Sequence, residues 1–359
     1  SITSFDESAV TQGIFWVGTD DGNVQISKDD GEHWKLLNVN IPNNPEYWVS
    51  RIIASNHHDG TAYLTFTGRH RSDYRALVYK TSDFGESWRS IANNLPNESV
   101  NVIREDRKNK DLLFIGTDRT VYVSVDGGQN WSELKNNLPT IPINDLVIHP
   151  RENDLVVGTM GRGFYITDIS LFQELTTEVQ TKKIHLFQPE PGVQWVMTSQ
   201  PAISSQNFAG ENEPHAVVIN YYLKDEIETG IIEVFQGSTK INELRAAGKP
   251  GLNQTLWYMT KRRARTTEEK EEMKEILIGI EEESDFFDFY DTVDFFLNSD
   301  DEVNSLGQSL RTRVQNSGPF DRDWIYQRVL PGEYTIKLII GGKTVTQKVQ
   351  ILKDQGLDK

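Results

Sequence analysis

Apolar and polar residues alternate in short runs along the first 170 positions, and each run is closed by Gly, Asp, Asn or Pro. Period-two alternation over such short stretches predicts β-strands. The runs at 24–26, 76–79 and 120–123 each lead into the same eight-residue pattern, and a further short strand starts at its last residue. Two more strand-type runs precede the second and third copies, at 49–54 and 62–66 and again at 100–103 and 112–115. Four strands per repeat of roughly 40–55 residues is the layout of a β-propeller blade.

The repeated pattern is Ser/Thr-x-Asp-x-Gly-x-x-Trp. It is carried by Ser27, Asp29, Gly31 and Trp34, by Thr81, Asp83, Gly85 and Trp88, and by Ser124, Asp126, Gly128 and Trp131. The Asp-to-Asp spacings are 54 and 43 residues. The chemistry is that of a turn. Asp and Ser/Thr side chains bond backbone amides, Gly supplies positive φ, and Trp packs between sheets. These Asp residues are therefore expected to pin hairpins between third and fourth strands, not to act as acids or metal ligands. Residues 140–170 read as one more blade, in which 159–168 takes the motif's place without matching it.

The expected architecture is all-β. Residues 1–170 form a partial propeller of about three and a half four-stranded blades. Residues 171–213 form a connector and linker, and 214–359 a fibronectin-like β-sandwich. Its strand signals include 216–222, 230–235 and 254–258, and a hairpin of 332–340 with 344–351. A helical insertion is expected at about 262–323. Thr266 and Glu269 form a capping box there, and Met273, Ile276, Leu277 and Ile280 make an apolar stripe. An open arc of blades leaves a strand edge and a blade face uncovered. The remaining blades are expected from upstream sequence or a second chain, the opening residues reading as a strand already in mid-fold.

Composition narrows the function classes. The net charge is −16, which disfavours nucleic acid as a partner. Between 267 and 302 the local net charge is −13, so the rest is nearly neutral. That stretch is read as a helical hairpin burying its aromatics with its acids outward, the alternative being a docking arm or a calcium site, although Asp300, Asp301 and Glu302 lack the EF-hand spacing with its central Gly. The absence of cysteine removes disulfides, thiolate chemistry and Cys-based zinc sites. No apolar run approaches the roughly 20 residues of a membrane helix. No P-loop, dinucleotide fingerprint or Ser/His/Asp order is present, and neither a cofactor nor a metal is expected.

In a propeller the loops between strands two and three share a face with the loops between blades. The pattern puts Tyr47, Trp48, Arg69, His70, Arg71, Asp73, Arg75 and Arg162 on that face as candidate ligand-binding residues. Aromatic rings beside Arg and Asp suit a sugar ring or a peptide. The alternative for 69–75 is a set of salt bridges locking adjacent blades. Asp20, Asp21 and Asp73 are the candidate catalytic carboxylates, since glycoside hydrolysis needs two acids at a set separation. The plain alternative for Asp20 and Asp21 is an Asp-Asp-Gly turn. His57, His58 and His149 fall on the far face.

The octapeptide resembles the Asp-box, or BNR, repeat of sialidases, sortilin-type receptor domains and xyloglucan-cleaving hydrolases. The segments FWVGTDDGNV (15–24), YWVSR (47–51), GRHRSD (68–73), NVIRED (101–106), VIHP (147–150) and LVVGTMGRG (155–163) are similar to the large bacterial sortilin/VPS10-like BNR proteins, often labelled "glycosyl hydrolase". The resemblance is clear over about the first 190 residues. It implies the C-terminal part of a longer exported chain, with 140–170 as the closing blade. The functional expectation is an exported binding or scaffold module whose propeller face takes glycan or peptide. The alternative is a xyloglucanase- or sialidase-like glycoside hydrolase whose carboxylates come partly from missing N-terminal sequence.

Overall fold

The structure is a computed structural model that describes residues 1–135, 138–195, 215–272 and 324–354. The chain divides into two compact units, Ser1–Thr181 and Lys182–Lys359.

The first unit is a run of antiparallel blades. Blade 1 is β1 (Ile2–Glu7), β2 (Phe15–Thr19), β3 (Val24–Ser27) and β4 (Lys35–Leu36). Blade 2 is β5 (Trp48–Ala54), β6 (Ala62–Gly68), β7 (Asp73–Thr81) and β8 (Arg89–Ser90). Blade 3 is β9 (Val100–Glu105), β10 (Leu113–Thr117), β11 (Val121–Ser124) and β12 (Ser132–Glu133). Blade 4 has three strands, β13 (Ile143–Ile148), β14 (Asp154–Thr159) and β15 (Phe164–Asp168). Two short helices follow, α1 (Ser170–Glu174) and α2 (Thr177–Thr181).

Each fourth strand has only two residues and follows an Asp-box turn. The three turns share one bonding pattern. Ser27, Thr81 and Ser124 hydroxyls donate to Asp29, Asp83 and Asp126 at 2.9, 2.7 and 2.8 Å. The same hydroxyls accept from the amides of Gly31, Gly85 and Gly128, whose φ values are +88°, +80° and +87°. Each Asp then accepts a backbone amide four residues on, from His33, Ser87 and Asn130. These bonds close the turn without help from any other blade.

Junctions between blades are apolar with a polar inner edge. Ile52, Ile103 and Leu146 point at the preceding blade and are fully buried. Each such side chain contributes roughly 1.5–3 kcal/mol. The first strand of every blade carries a β-bulge, which leaves out Thr3, Ser50, Asn101 and Asn144 in turn. The bulged side chain reaches the next blade. Thr3 donates to the Val49 carbonyl at 2.7 Å, Ser50 to Val100 at 2.7 Å and Asn101 to Ile143 at 3.1 Å. The acceptor is in each case the carbonyl just before the next bulge. Arg51 and Arg104 both reach Asp145, at 3.0 and 2.8 Å.

The second unit is a β-sandwich. One sheet is β16 (Ile184–Leu186), β18 (Val217–Leu223) and β21 (Gly251–Trp257). The other has the order β17 (Gly192–Gln194), β25 (Lys343–Lys353), β24 (Gly332–Ile340), β19 (Gly230–Gln236) and β20 (Thr239–Ala246). Ile219, Tyr221 and Trp257 from the first sheet share a core with Val234, Ile336 and Leu338 from the second. The expected hairpin turns through Gly341 and Gly342, at φ +56° and +70°. Strand β20 goes beyond the sequence expectation, and so does the parallel pairing of β17 with β25 within the stretch read as linker.

Strands β22 (Thr260–Ala264) and β23 (Trp324–Arg328) pair at the base of the insertion. The capping box forms: Thr266 Oγ1 accepts from the Glu269 amide at 3.3 Å, and Glu269 accepts from the Thr266 amide at 2.8 Å. The apolar stripe from Met273 onward and the acidic aromatic run after it lie outside the described residues.

Candidate functional site

One cavity of about 470 Å³ opens at the junction of blades 1 and 2. Three loops build it. The β2–β3 turn brings Asp20, Asp21 and Asn23, and the inter-blade loop brings Val39, Asn44, Glu46, Tyr47 and Trp48. The loop after β6 brings Gly68, His70 and Arg71. This is the face opposite the Asp-box turns, as the strand order requires.

The loops are tightly fitted. A side chain at Gly22 would meet Tyr47 O at 2.9 Å and Glu46 Cα at 3.0 Å. At Gly68 it would meet the Tyr47 ring at 2.8 Å. Asn43, Asn44 and Glu46 all have positive φ, at +63°, +30° and +45°, and Ser72 follows at +57°. Non-Gly residues held in that region cost of order 1–3 kcal/mol each, and such strain clusters at ligand clamps. Here it bends the inter-blade loop so that two aromatic residues face the cavity.

Those rings carry the recognition chemistry. Trp48 lies against His70, with ring centroids 4.1 Å apart, and remains 46% exposed. The Arg71 guanidinium sits 5.6 Å from the centre of the Tyr47 ring. Tyr47 is fixed from behind, its hydroxyl donating to Asp73 at 3.1 Å. Asp73 in turn is gripped by Arg75, whose NH2 is 2.6 Å away. Arg75 beside it holds the Asp73 carboxyl far below the usual carboxylate range.

Two of the candidate carboxylates, Asp21 and Asp73, are shifted down. Asp21 accepts from the Thr19 hydroxyl, which lowers its pKa, and also from Asn23 Nδ2 at 2.9 Å. Asp21 therefore serves the turn as well as lining the cavity.

The cavity gathers Asp20, Asp21, Tyr47, Trp48, His70 and Arg71. The other predicted residues stand apart from its lining. Asp73 and Arg75 support Tyr47 from outside. Arg69 ion-pairs with Asp118 of blade 3 at 3.2 Å, the blade-locking role. Arg162 is exposed in the β14–β15 turn of blade 4, between Gly161 and Gly163. Sequence reasoning missed Glu46, Asn44 and Val39. Their signal was the loop 38–47 itself, which is rich in Asn and Pro and ends in the Tyr47-Trp48 pair. On the far face His57 bonds the Asp106 carbonyl at 2.8 Å, and His149 accepts from the Glu152 amide at 3.1 Å.

Residues 76–170 match the model of a family described as "Sortilin, neurotensin receptor 3". Among solved structures, a GH74 enzyme from Niastella koreensis aligns with TM-score 0.39 and 11% identity, over 72% of this chain and 38% of that one. A structure titled "YCF48 bound to D1 peptide" aligns with TM-score 0.36 and 15% identity, over 47% of this chain and 52% of that one. The chain thus spans 38% and 52% of these two neighbours. The comparison with curated proteins finds no match. Among the described residues no helix is long and apolar enough to cross a membrane.

Proposed function

We propose that this sortilin-like Asp-box propeller protein is an exported binding module, part of a larger assembly, whose cavity between blades 1 and 2 grips a glycan or peptide. The observation that supports it best is the convergence of Tyr47, Trp48, His70 and Arg71 with Asp20 and Asp21 in one open cavity of about 470 Å³. That volume suits a short segment of either ligand, and aromatic faces beside mixed charges provide stacking with a few orienting polar groups. The export and the larger assembly rest on the resemblance to long bacterial BNR chains and on the open arc, whose remaining blades would come from upstream sequence or a second chain.

The hydrolase reading is the weaker one. Inverting and retaining glycosidases both need a carboxylic acid held protonated at working pH. Asp21 and Asp73 are shifted the other way.

The test is a binding screen against a glycan array and a peptide library, followed by titration of the hits. Trp48→Ala and Arg71→Ala are each expected to weaken binding at least about tenfold, with the fold intact by circular dichroism. Hits that bind both variants as well as the parent protein would remove the cavity from the account.

A further inference from the structure

The cavity between blades 1 and 2 is lined by an unbalanced set of charges. Asp20, Asp21 and Glu46 face it, and Arg71 is the one guanidinium on the lining. Asp21 and Glu46 alone already outnumber that cation. The two acids stand on segments that touch, since a Cβ at Gly22, next to Asp21, would lie 3.0 Å from Glu46 Cα.

The groups differ in what already engages them. Asp21 accepts from Thr19 and Asn23 within its own turn. Glu46 is exposed and makes no hydrogen bond or ion pair among the described residues. Arg71 does not neutralise it. Its guanidinium sits 5.6 Å from the centre of the Tyr47 ring and forms no ion pair among the described residues. The N–H groups of Arg71 therefore suit a main-chain carbonyl, and the Glu46 carboxylate is left for a cation.

The apolar part of the lining narrows the cation further. Leu36 and Val39 line the same cavity and are 50% and 87% exposed, and Trp48 offers an exposed ring beside them. A ligand that uses all of these groups has an aliphatic stem and a cationic head. Arginine and lysine side chains have that build, the stem lying on apolar surface while the head keeps polar partners. A guanidinium also stacks on a Trp face and forks to a carboxylate, which an ammonium does less well. A neutral sugar ring would stack on Trp48 and leave the excess carboxylates unpaired. Uronic acids and sialosides would add like charge to them. An amino sugar brings the charge without the stem.

We infer that the cavity takes a peptide by one of its basic side chains, arginine ahead of lysine, with the stem on Leu36 and Val39, the head between Trp48 and the Glu46 and Asp21 carboxylates, and a main-chain carbonyl on Arg71. This rests on the binding cavity proposed above and narrows its ligand from glycan or peptide to a basic peptide.

The test is fluorescence anisotropy of the full chain with labelled, end-blocked glycine pentapeptides whose central residue is arginine, lysine or citrulline, the neutral isostere of arginine. The arginine peptide is expected to bind at least about tenfold more tightly than the citrulline peptide, with lysine between them. The double variant Asp21→Asn with Glu46→Gln should bring the arginine and citrulline peptides within about twofold of each other. Trp48→Ala should weaken both at least about tenfold. Equal affinity of the parent protein for arginine and citrulline, or no binding of the arginine peptide at about 1 mM, overturns the basic side chain. An arginine preference that survives the double variant overturns it too, its source then being the acidic stretch 267–302. Tighter binding of cellotetraose, or of the matching amino-sugar tetramer, overturns the peptide. Peptides that bind Trp48→Ala as well as the parent protein would remove the cavity itself, a failure separate from that of the cation.

Discussion

Trp131 and Trp34 occupy the same position in the same motif, yet one is a core residue and the other a surface one. Trp131 is 4% exposed and donates its indole N–H to the Ile91 carbonyl of the preceding blade at 2.7 Å. Trp34 is 41% exposed and donates to Gly31 in its own turn at 2.9 Å. The motif specifies the turn. The neighbouring sheet decides what the Trp is worth. Stability at a junction is thus a non-local quantity laid over a local and identical frame.

The sharpest way to separate the two is to delete both rings. Trp131→Ala is expected to cost about 3–5 kcal/mol in chemical denaturation, the usual range for removing a buried large aromatic. Trp34→Ala is expected to cost about 1 kcal/mol or less, since its ring is 41% exposed and stacks on Phe15. Equal losses would mean that the turn, not the junction, sets the value of the Trp.

A second comparison sets Glu105 against Glu7. Glu105 is 4% exposed and also accepts from Tyr63 OH at 2.9 Å. Glu105→Ala strands these donors and is expected to cost about 2–3 kcal/mol. Among the described residues Glu7 accepts only the Gly13 amide, at 3.2 Å and within its own blade. Glu7→Ala should change the melting temperature little in the diluted protein. A large loss there would show that blade 1 already has a neighbour.

The turns themselves give the smallest effect, and one that does not depend on neighbours. The His33 amide and imidazole at Asp29 hold its pKa at about 2, below the ordinary 3.8. The Ser87 hydroxyl and amide lower Asp83. A depressed folded-state pKa contributes stability above the unfolded value and loses it as pH falls through the folded one. Acid unfolding should therefore steepen between about pH 4 and pH 2, and Asp29→Asn should flatten that slope modestly in an acid titration. An unchanged slope would separate the Asp-box carboxylates from the acid response.

The frame was legible because it is local. Ser/Thr, Asp, Gly and Trp at fixed spacing specify a turn on their own, and strand alternation placed the sheets on either side of it. The cavity was half legible. Tyr47, Trp48, His70 and Arg71 stood out as aromatic and basic residues in long loops. Glu46 and Asn44 did not, because their place depends on positive φ and on the close approach of Gly22, which side-chain chemistry does not signal. Arg69 illustrates the converse. Its charge drew it into the binding set, and its partner Asp118, a blade away, is visible only once the sheets are packed. Strand β17 was hidden for a similar reason, since three residues in a Pro-rich stretch become a strand only by pairing with β25.

The open arc is tested most directly by thiol accessibility at two equivalent positions of a chain that has no cysteine of its own. Ile53→Cys and Val147→Cys would be labelled separately in the 359-residue chain at high dilution. The account predicts that the blade 4 thiol reacts close to the rate of an unprotected cysteine, and that the blade 2 thiol reacts at least about a hundredfold more slowly, its exposure requiring local opening. Comparable protection at both positions would contradict it.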